Sequence, residues 1–144
     1  MMMSALMIVF ASLFTTPAVA NESAYARVCR QSGGYQWVLN LKTSEEYIMC
    51  NYDTAMIGAP TLFAFRINGF IPKAVEVFMH TTRQSNAGIC QATGAQFKVG
   101  VDTDKTRYTL CVYADGSYIE KQTMERGRYA AENMDLSDAL GLGR

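Results

Sequence analysis

Alternating hydrophobic and polar positions recur in two halves of the chain. Residues 35–41 and 97–101 alternate in this way and are rich in aromatic and β-branched side chains, so each is predicted to be a strand. Polar turns follow both segments and lead to second predicted strands at residues 46–52 and 107–113. Third strands are predicted at residues 62–67 and, after an Asp-Gly turn signal, at residues 118–124.

A short helix is predicted before each set of strands. Asn21 can cap the first helix, which ends at Gly33, and Ser85 or Asn86 can cap the second, which ends at Gly94. Residues 71–82, between the halves, fit a strand through the alternation of Val75, Val77 and Met79, although Val75, Phe78 and Met79 also fit helical spacing. They are interpreted as a strand because of their β-branched residues. Residues 128–138 are interpreted as a helix, followed by a loose tail.

Cysteine spacing indicates that the halves arose by duplication. Residues 29–52 and 90–113 align without a gap, and six of the 24 aligned positions are identical. The alignment sets Trp37 against Lys98, which leaves open whether the first strands are shifted by one residue. The predicted fold is therefore α+β, with two tandem repeats that each contain a short helix and a three-stranded antiparallel sheet. The predicted divisions are repeat 1 at 21–70, a linker at 71–84, repeat 2 at 85–128 and a C-terminal tail at 129–144.

The first twenty residues have the features of a signal peptide. A short apolar run is broken by Pro17, and the small residues at positions 18 and 20 predict cleavage between Ala20 and Asn21. A membrane-spanning helix is the alternative, but the apolar run is too short to cross ~30 Å of hydrocarbon. We therefore expect a periplasmic or secreted protein without stable membrane insertion after cleavage.

Four cysteines in an oxidising compartment predict two disulfides. Three pairings are possible, and the equal spacing of 21 positions favours Cys29–Cys50 with Cys90–Cys111. A zinc site or redox pair is less favoured because no Cys-x-x-Cys motif is present.

The charge and the polar residues point to no particular chemistry. The formal net charge is zero, which argues against nucleic acid as a partner. His80 is the single histidine and has no nucleophile motif around it. The carboxylates at residues 45–46 and at residues 102 and 104 are interpreted as solvent-exposed side chains of polar turns. We therefore expect no enzymatic activity and no cofactor or metal.

Two tyrosines recur at equivalent positions of the halves and leave two interpretations open. Tyr47 aligns with Tyr108, and Tyr52 aligns with Tyr113. Recurrence favours a role in packing each unit, while tyrosine is also common at recognition surfaces.

Both halves resemble a family of small exported bacterial domains of unknown function whose members are often labelled haemolysins. The resemblance rests on Cys29, Gly33-Gly34, Tyr47, Cys50 and Phe63-Ala64-Phe65-Arg66 in the first half. In the second half it rests on Cys90, Gly94, Tyr108, Cys111, Asp115-Gly116 and Glu120. The tryptophan that the family carries in its third strand is absent from both halves, and Glu22 stands where the family has proline. The resemblance implies an exported, cysteine-paired module and assigns no activity.

The sequence therefore predicts a non-enzymatic exported binding or envelope-associated protein, with an unidentified protein or envelope component as partner. The alternative is a small protease inhibitor that presents the longer loop at residues 53–61. In that loop the candidate contact residues are Met56, Ile57 and Pro60. A hydrolase is the least supported class.

Overall fold

The structure, a computed structural model, describes residues 22–85 and 88–143 of the 144-residue chain. The predicted signal peptide and the cleavage site between Ala20 and Asn21 lie outside the described residues. The strands are β1 Tyr35–Asn40, β2 Glu46–Asn51, β3 Met56–Gly58, β4 Gln96–Val101, β5 Arg107–Val112 and β6 Tyr118–Glu120. The helices are α1 Ala24–Gln31, α2 Ala59–Arg66, α3 Lys73–His80, α4 Ile89–Ala92, α5 Lys121–Arg126 and α6 Met134–Ala139, with a 3-10 turn at Ala131–Asn133.

The protein has the predicted α+β class, with antiparallel strands and two disulfides, but its strands do not form two separate sheets. All six close into one barrel in the order β1-β2-β3-β6-β5-β4. The halves join where Ile57 pairs with Ile119 and where Asn40 pairs with Val101. A separate three-stranded sheet would leave unpaired backbone groups on both edges, and closure of the barrel pairs those edges with each other.

The prediction of the third strand in the first half is wrong. Residues 62–67 belong largely to α2, and the strand β3 comes earlier, at Met56–Gly58. Pro60 lies in the first turn of α2, where its missing N–H does no harm and its fixed φ favours the helix. In the second half the strand predicted at residues 118–124 is shorter than expected, because β6 ends at Glu120 and α5 begins at Lys121. The Glu120 side chain caps α5 by accepting hydrogen bonds from the Gln122 and Thr123 N–H groups.

The linker differs from its prediction, whereas the C-terminal segment differs mainly in its last residues. Residues 73–80 form a helix rather than a strand, and its Val75 and Phe78 are buried in the core. The helix predicted at residues 128–138 is present in part as α6, whose Leu136 is buried. The expected loose tail is wrong at its start, because Leu140 is also buried. The alternating valines of the linker fit both periods, and only the helical one buries them against the barrel.

The two faces of the barrel wall contribute side chains to two separate hydrophobic clusters. The inward-facing cluster contains Leu39, Met49, Met56, Leu110 and Tyr118, all of them from strands. The outward-facing cluster combines strand residues such as Cys50 and Ile119 with residues of the surrounding helices. Successive side chains of a strand point to opposite faces, so the helices cover the barrel from outside and leave its interior to the strands alone.

Each half carries the same set of contacts between its opening helix and its second strand. The disulfide Cys29–Cys50 joins α1 to β2, and Cys90–Cys111 joins α4 to β5. Beside each disulfide a hydroxyl pair lies within hydrogen-bond distance: Ser32 Oγ and the Tyr52 hydroxyl at 2.6 Å, and Thr93 Oγ1 and the Tyr113 hydroxyl at 2.8 Å. Tyr52 and Tyr113 are buried. Of the two roles considered for them, packing and recognition, the structure therefore supports packing.

The turn between β5 and β6 is fastened to α3 by Asp115. Its carboxylate accepts hydrogen bonds from the Lys73 N–H at 2.8 Å, the Ser117 N–H at 2.9 Å and the Ser117 hydroxyl at 2.6 Å. Desolvation alone would raise the pKa of Asp115, but these hydrogen bonds outweigh it and hold the pKa below its ordinary value of 3.8. The ionised form therefore stabilises the fold above that value, and this contribution is lost as the pH falls through the lower pKa of the folded protein.

We expect Asp115→Asn to destabilise the protein at neutral pH and to have a smaller effect in acid, where the native carboxyl is itself protonated. Urea unfolding at neutral pH and at a pH far enough below 3.8 to lie under the lowered pKa of the folded protein measures this difference. Asp138→Asn, a substitution at an exposed position of α6, is the matched control. An equal loss of stability at both pH values would contradict the role assigned to the charge.

Candidate functional site

A cavity of about 570 Å³ opens at one end of the barrel and is called here the barrel-mouth cavity. Six of its lining residues come from five of the strands: Tyr35, Trp37, Asn51, Met56, Tyr108 and Glu120. The strand register explains why they meet, because Asn51 lies opposite both Tyr35 and Met56. The rim is formed by Asp53, Thr54, Gln122, Arg126 and Glu132, which follow these strands in loops and helices. The volume is in the range of about 300–1,000 Å³ that is usual for small-molecule sites.

One side of the cavity is an aromatic wall made of Tyr35, Trp37 and Tyr108. The Tyr35 and Trp37 rings are stacked, with centroids 6.4 Å apart and an interplanar angle of 28°. Tyr108 meets Trp37 edge to face at 5.6 Å. Trp37 is the single tryptophan of the chain, so its fluorescence reports directly on this cavity.

Tyr108 stays protonated at physiological pH. Desolvation raises the pKa of the Tyr108 hydroxyl, and the nearby Asp102 carboxylate raises it further. The hydroxyl donates a hydrogen bond to Asp102 Oδ2 at 3.4 Å. Asp102 was expected to be solvated, but it is only 7% exposed and accepts hydrogen bonds from the Asp104 and Thr106 N–H groups, so it orders the turn after β4.

Asn51 is the unusual residue of the cavity. It is 1% exposed, and its side-chain oxygen Oδ1 has no hydrogen-bond partner. A buried polar group without a partner costs roughly 1–3 kcal/mol. Asn133 also has an unpartnered side-chain oxygen, but its amide nitrogen donates to the carbonyls of Thr123 and Gly127, both at 2.8 Å, so Asn133 has a structural role.

Glu120 places a carboxylate beside Asn51 in the lining. It is 5% exposed, and its orientation is fixed by hydrogen bonds from the Thr123 N–H at 2.7 Å, the Thr123 hydroxyl at 2.8 Å and the Gln122 N–H at 3.1 Å. The Thr123 hydroxyl in turn accepts the Met56 N–H at 3.0 Å, which links this network to β3. The carboxylate is therefore preorganised by backbone and hydroxyl donors.

The rim is tied together by side-chain contacts with main-chain carbonyls. Arg126 Nη1 donates to the Thr54 carbonyl at 2.5 Å, and the Thr54 hydroxyl donates to the Glu132 carbonyl at 2.6 Å. These contacts connect α5, the loop after β2 and the 3-10 turn. The cavity lining contains three carboxylates and one guanidinium, which is a formal charge of −2.

The opposite end of the barrel is filled by side chains at the equivalent positions of the other half. Tyr118 corresponds to Met56, and its ring meets Tyr47 edge to face at 4.7 Å while its hydroxyl donates to the Ile48 carbonyl. Gly58 corresponds to Glu120, and a Cβ at Gly58 would lie only 2.7 Å from the Tyr118 ring. Equivalent positions of the two halves thus close one end and leave the other open.

The candidate residues predicted from the sequence lie mostly elsewhere. Met56 and Ile57 are 5% and 0% exposed in β3, so the predicted contact loop is not an exposed loop, although Met56 lines the cavity floor. Pro60 lies in α2 and is absent from the cavity lining. His80 is exposed at the end of α3, where Nδ1 lies 2.8 Å from the Glu76 carbonyl. Within residues 22–85 and 88–143, no group of three or more His, Cys, Asp or Glu side chains could hold a metal.

The sequence did not single out Trp37, Asn51 or Glu120 as site residues. A signal was present in the differences between the two halves, since Trp37 aligns with Lys98 and Asn51 aligns with Val112. The register shows that no shift separates these strands, because Trp37 lies opposite Met49 just as Lys98 lies opposite Leu110. These two aligned positions, at which the halves differ in polarity, therefore both lie in the cavity lining.

No known protein family, curated protein or solved structure matches the chain. In the described part of the chain, the helices are all too short or too polar to cross a membrane.

Proposed function

We propose that this chain is an exported, non-enzymatic binding protein built from two duplicated halves, and that the barrel-mouth cavity is its ligand site. The observation that carries the proposal is the unpartnered side-chain oxygen of Asn51 in an aromatic-lined cavity. Buried polar groups are nearly always hydrogen-bonded, so such a group in a cavity is suited to a ligand that supplies the missing partner. The equivalent Val112 would fill the position without this cost.

Duplication and export are supported by the paired disulfides. Two bridges with the same sequence separation of 21 join equivalent helices and strands. Disulfides persist in oxidising compartments, which agrees with a periplasmic or secreted location and with the signal-like first twenty residues. Membership of the exported family whose members are labelled haemolysins remains part of this proposal and implies no lysis.

Binding fits the cavity better than catalysis or protease inhibition does. The described side chains that line the cavity include no serine, cysteine or histidine, and the raised pKa of Tyr108 disfavours its use as a base. An inhibitor needs an accessible loop, whereas Met56 and Ile57 of the candidate loop are buried.

We expect Asn51→Val to separate stability from binding. The substitution copies the equivalent residue Val112 and removes an unpartnered polar group, so it should raise the free energy of unfolding by about 1 kcal/mol. Urea unfolding measures that change. Titrations of Trp37 fluorescence with sugars, amines, carboxylates and amino acids should show a saturable response in the native protein that Asn51→Val loses.

Val112→Asn is the matched control for this pair of measurements. It places an amide in the other half, so it should destabilise the protein and leave the Trp37 response intact. A native protein that responds to none of these compounds, or a response that survives Asn51→Val, would contradict the proposed site.

A further inference from the structure

The two most buried polar side chains of the barrel-mouth cavity, Asn51 and Glu120, both offer acceptors to a ligand. Asn51 contributes an unpartnered oxygen, and Glu120 contributes a carboxylate that retains acceptor capacity because its Oε1 accepts only the Gln122 N–H. The Tyr108 hydroxyl already donates to Asp102, and Arg126 donates to the Thr54 carbonyl and to Gln122 Oε1. A ligand that satisfies the Asn51 oxygen and the Glu120 carboxylate must therefore bring hydrogen-bond donors.

The charge of the lining favours a cation. The ion pairs of the described residues involve Glu22 with Arg27 and Arg30, Lys73 with Glu76, and Lys121 with Glu125, so the buried Glu120 has no cationic partner among them. On the rim, Asp53 and Glu132 outnumber the single cation Arg126. A buried carboxylate gains most from a ligand that compensates its charge as well as accepting its hydrogen bonds.

The aromatic wall favours the same class of ligand. Trp37 and Tyr35 present stacked rings at the cavity, and the Tyr35 side chain is exposed enough to be reached, at 50% of its surface. The faces of aromatic rings carry negative potential and attract ammonium and guanidinium groups, tryptophan most strongly. An apolar stem attached to the cation can pack against the rings and Met56.

We propose that the barrel-mouth cavity binds an organic cation with N–H donors, namely an ammonium or guanidinium group on an aliphatic stem. This inference rests on the proposed function and specifies its ligand class. The cationic head lies at the Asn51 oxygen and the Glu120 carboxylate, and the stem lies along Trp37 and Tyr35. A neutral sugar would satisfy Asn51 and leave the charge of Glu120 uncompensated, and an anion would meet a net negative lining.

The test compares small probes of matched size by titration, followed through Trp37 fluorescence and the NMR signal of its indole N–H. The probes are n-butylammonium, n-butylguanidinium, tetramethylammonium, n-butanol, butyrate and methyl glucoside. Saturable binding is expected for the first two, with at least roughly tenfold weaker binding of the neutral, anionic and N–H-free probes. Equal binding of tetramethylammonium would overturn the requirement for N–H donors.

Variants locate the binding site and its charge. Glu120→Gln keeps a side-chain acceptor for the helix cap and removes the charge, so binding of n-butylammonium should weaken roughly tenfold or more. Asp53→Asn on the rim should weaken it by about a factor of three, and Asp138→Asn on α6 should leave it unchanged. Should Glu120→Gln fail to fold, the fall in affinity with rising salt concentration in the native protein and its reduction by Asp53→Asn test the same charge.

The possible failures are distinguishable. If methyl glucoside or butyrate binds, depends on Asn51, and the cations do not bind, the cation inference is overturned and the proposed ligand site stands. If no probe changes the Trp37 signals, the cation inference and the proposed site are overturned together. Cation binding that is insensitive to both Glu120→Gln and Asp53→Asn would place the ligand elsewhere and overturn the inference alone.

Discussion

Replacing Cys29 and Cys50 together with alanine is expected to lower the free energy of unfolding by about 3 kcal/mol. The disulfide closes a loop with a sequence separation of 21 and so limits the conformations of the unfolded chain. Both cysteines are also completely buried, at 0% exposure, so the smaller alanines leave unfilled space between α1 and β2. Such a loss is a large share of the ~5–15 kcal/mol that stabilises a typical domain.

The second disulfide supplies an internal comparison. Cys90–Cys111 has the same sequence separation of 21, so replacing it with alanines should cost a similar amount. Urea unfolding of the native protein, each double variant and the quadruple variant measures both effects, provided that the native protein is kept oxidised. The quadruple variant should be largely unfolded without denaturant. A double variant as stable as the native protein would show that the bridge contributes little.

The disulfide variants also report on cooperativity. Because both halves contribute strands to one barrel, loss of either bridge should shift a single unfolding transition rather than split it in two. Trp37 fluorescence follows the first half, since Trp37 lies in β1, and far-UV circular dichroism follows the whole chain. Coincident transitions by the two methods are the expected result for each variant.

Local patterns in the sequence predicted those parts of the fold that local interactions determine. The alternation at residues 35–41 and 97–101 predicted β1 and β4 because a strand that faces two environments needs a period of two. The two expected disulfides follow from cysteine number and spacing in a chain that begins with a signal-like segment. The closure of the barrel could not be predicted in this way, because Ile57–Ile119 and Asn40–Val101 join positions that are distant in the chain.

Short apolar runs were the main source of error. Residues 62–67 are a nearly continuous apolar run, and residues 71–82 have apolar positions that fit both a strand and a helix. Both segments are largely helical. The deciding features were the prolines, since Pro60 lies in the first turn of α2 and Pro72 directly precedes α3. Proline at a helix start keeps its favourable φ and loses no helical hydrogen bond. It therefore indicates a helix more strongly than the β-branched residues that follow indicate a strand.

The candidate site depends on residues that no motif connects. Asn51, Trp37 and Glu120 lie in different strands and meet because the barrel closes. Each also looks ordinary in its own segment, since a tryptophan in a strand usually packs and a glutamate before a helix usually caps it. The comparison of the two halves carried the information for Trp37 and Asn51, which align with the dissimilar residues Lys98 and Val112. Glu120 lies beyond the aligned segments, and only the strand register makes it equivalent to Gly58.

Separation of the two halves is expected to abolish folding. The fragments 22–70 and 71–143 would each expose an edge of β3 or β6 and an edge of β1 or β4, which the barrel otherwise pairs. The outer hydrophobic cluster is also shared, since it contains Val28 and Leu62 of the first half together with Ile119 and Leu136 of the second. A fragment of this size with one disulfide buries too little apolar surface to offset the entropy lost on folding.

The measurement is the dispersion of amide signals in the NMR spectra of the two fragments, each exported so that its disulfide can form. Each fragment alone should give the narrow dispersion of an unfolded chain. An equimolar mixture should recover native dispersion and the native Trp37 fluorescence, because hydrogen bonds join the two fragments directly. The Met56 N–H donates to Thr123 Oγ1, and the Tyr118 N–H donates to Thr61 Oγ1, both at 3.0 Å. The intact chain, kept in the same buffer, provides the reference spectrum.

A folded fragment 22–70 would overturn the single-barrel account and would support two units that fold independently, as the repeat pattern alone suggests. Failure of the mixture to fold would instead show that the covalent connection at residues 70–71 is needed to bring the halves together. The expected result follows from the barrel itself: duplication could produce two similar halves, but each half leaves its sheet open, and the open edges are complementary only to each other. The filled end at Tyr118 and the open end at Asn51 each combine residues of the two halves, so neither end can form in a single fragment.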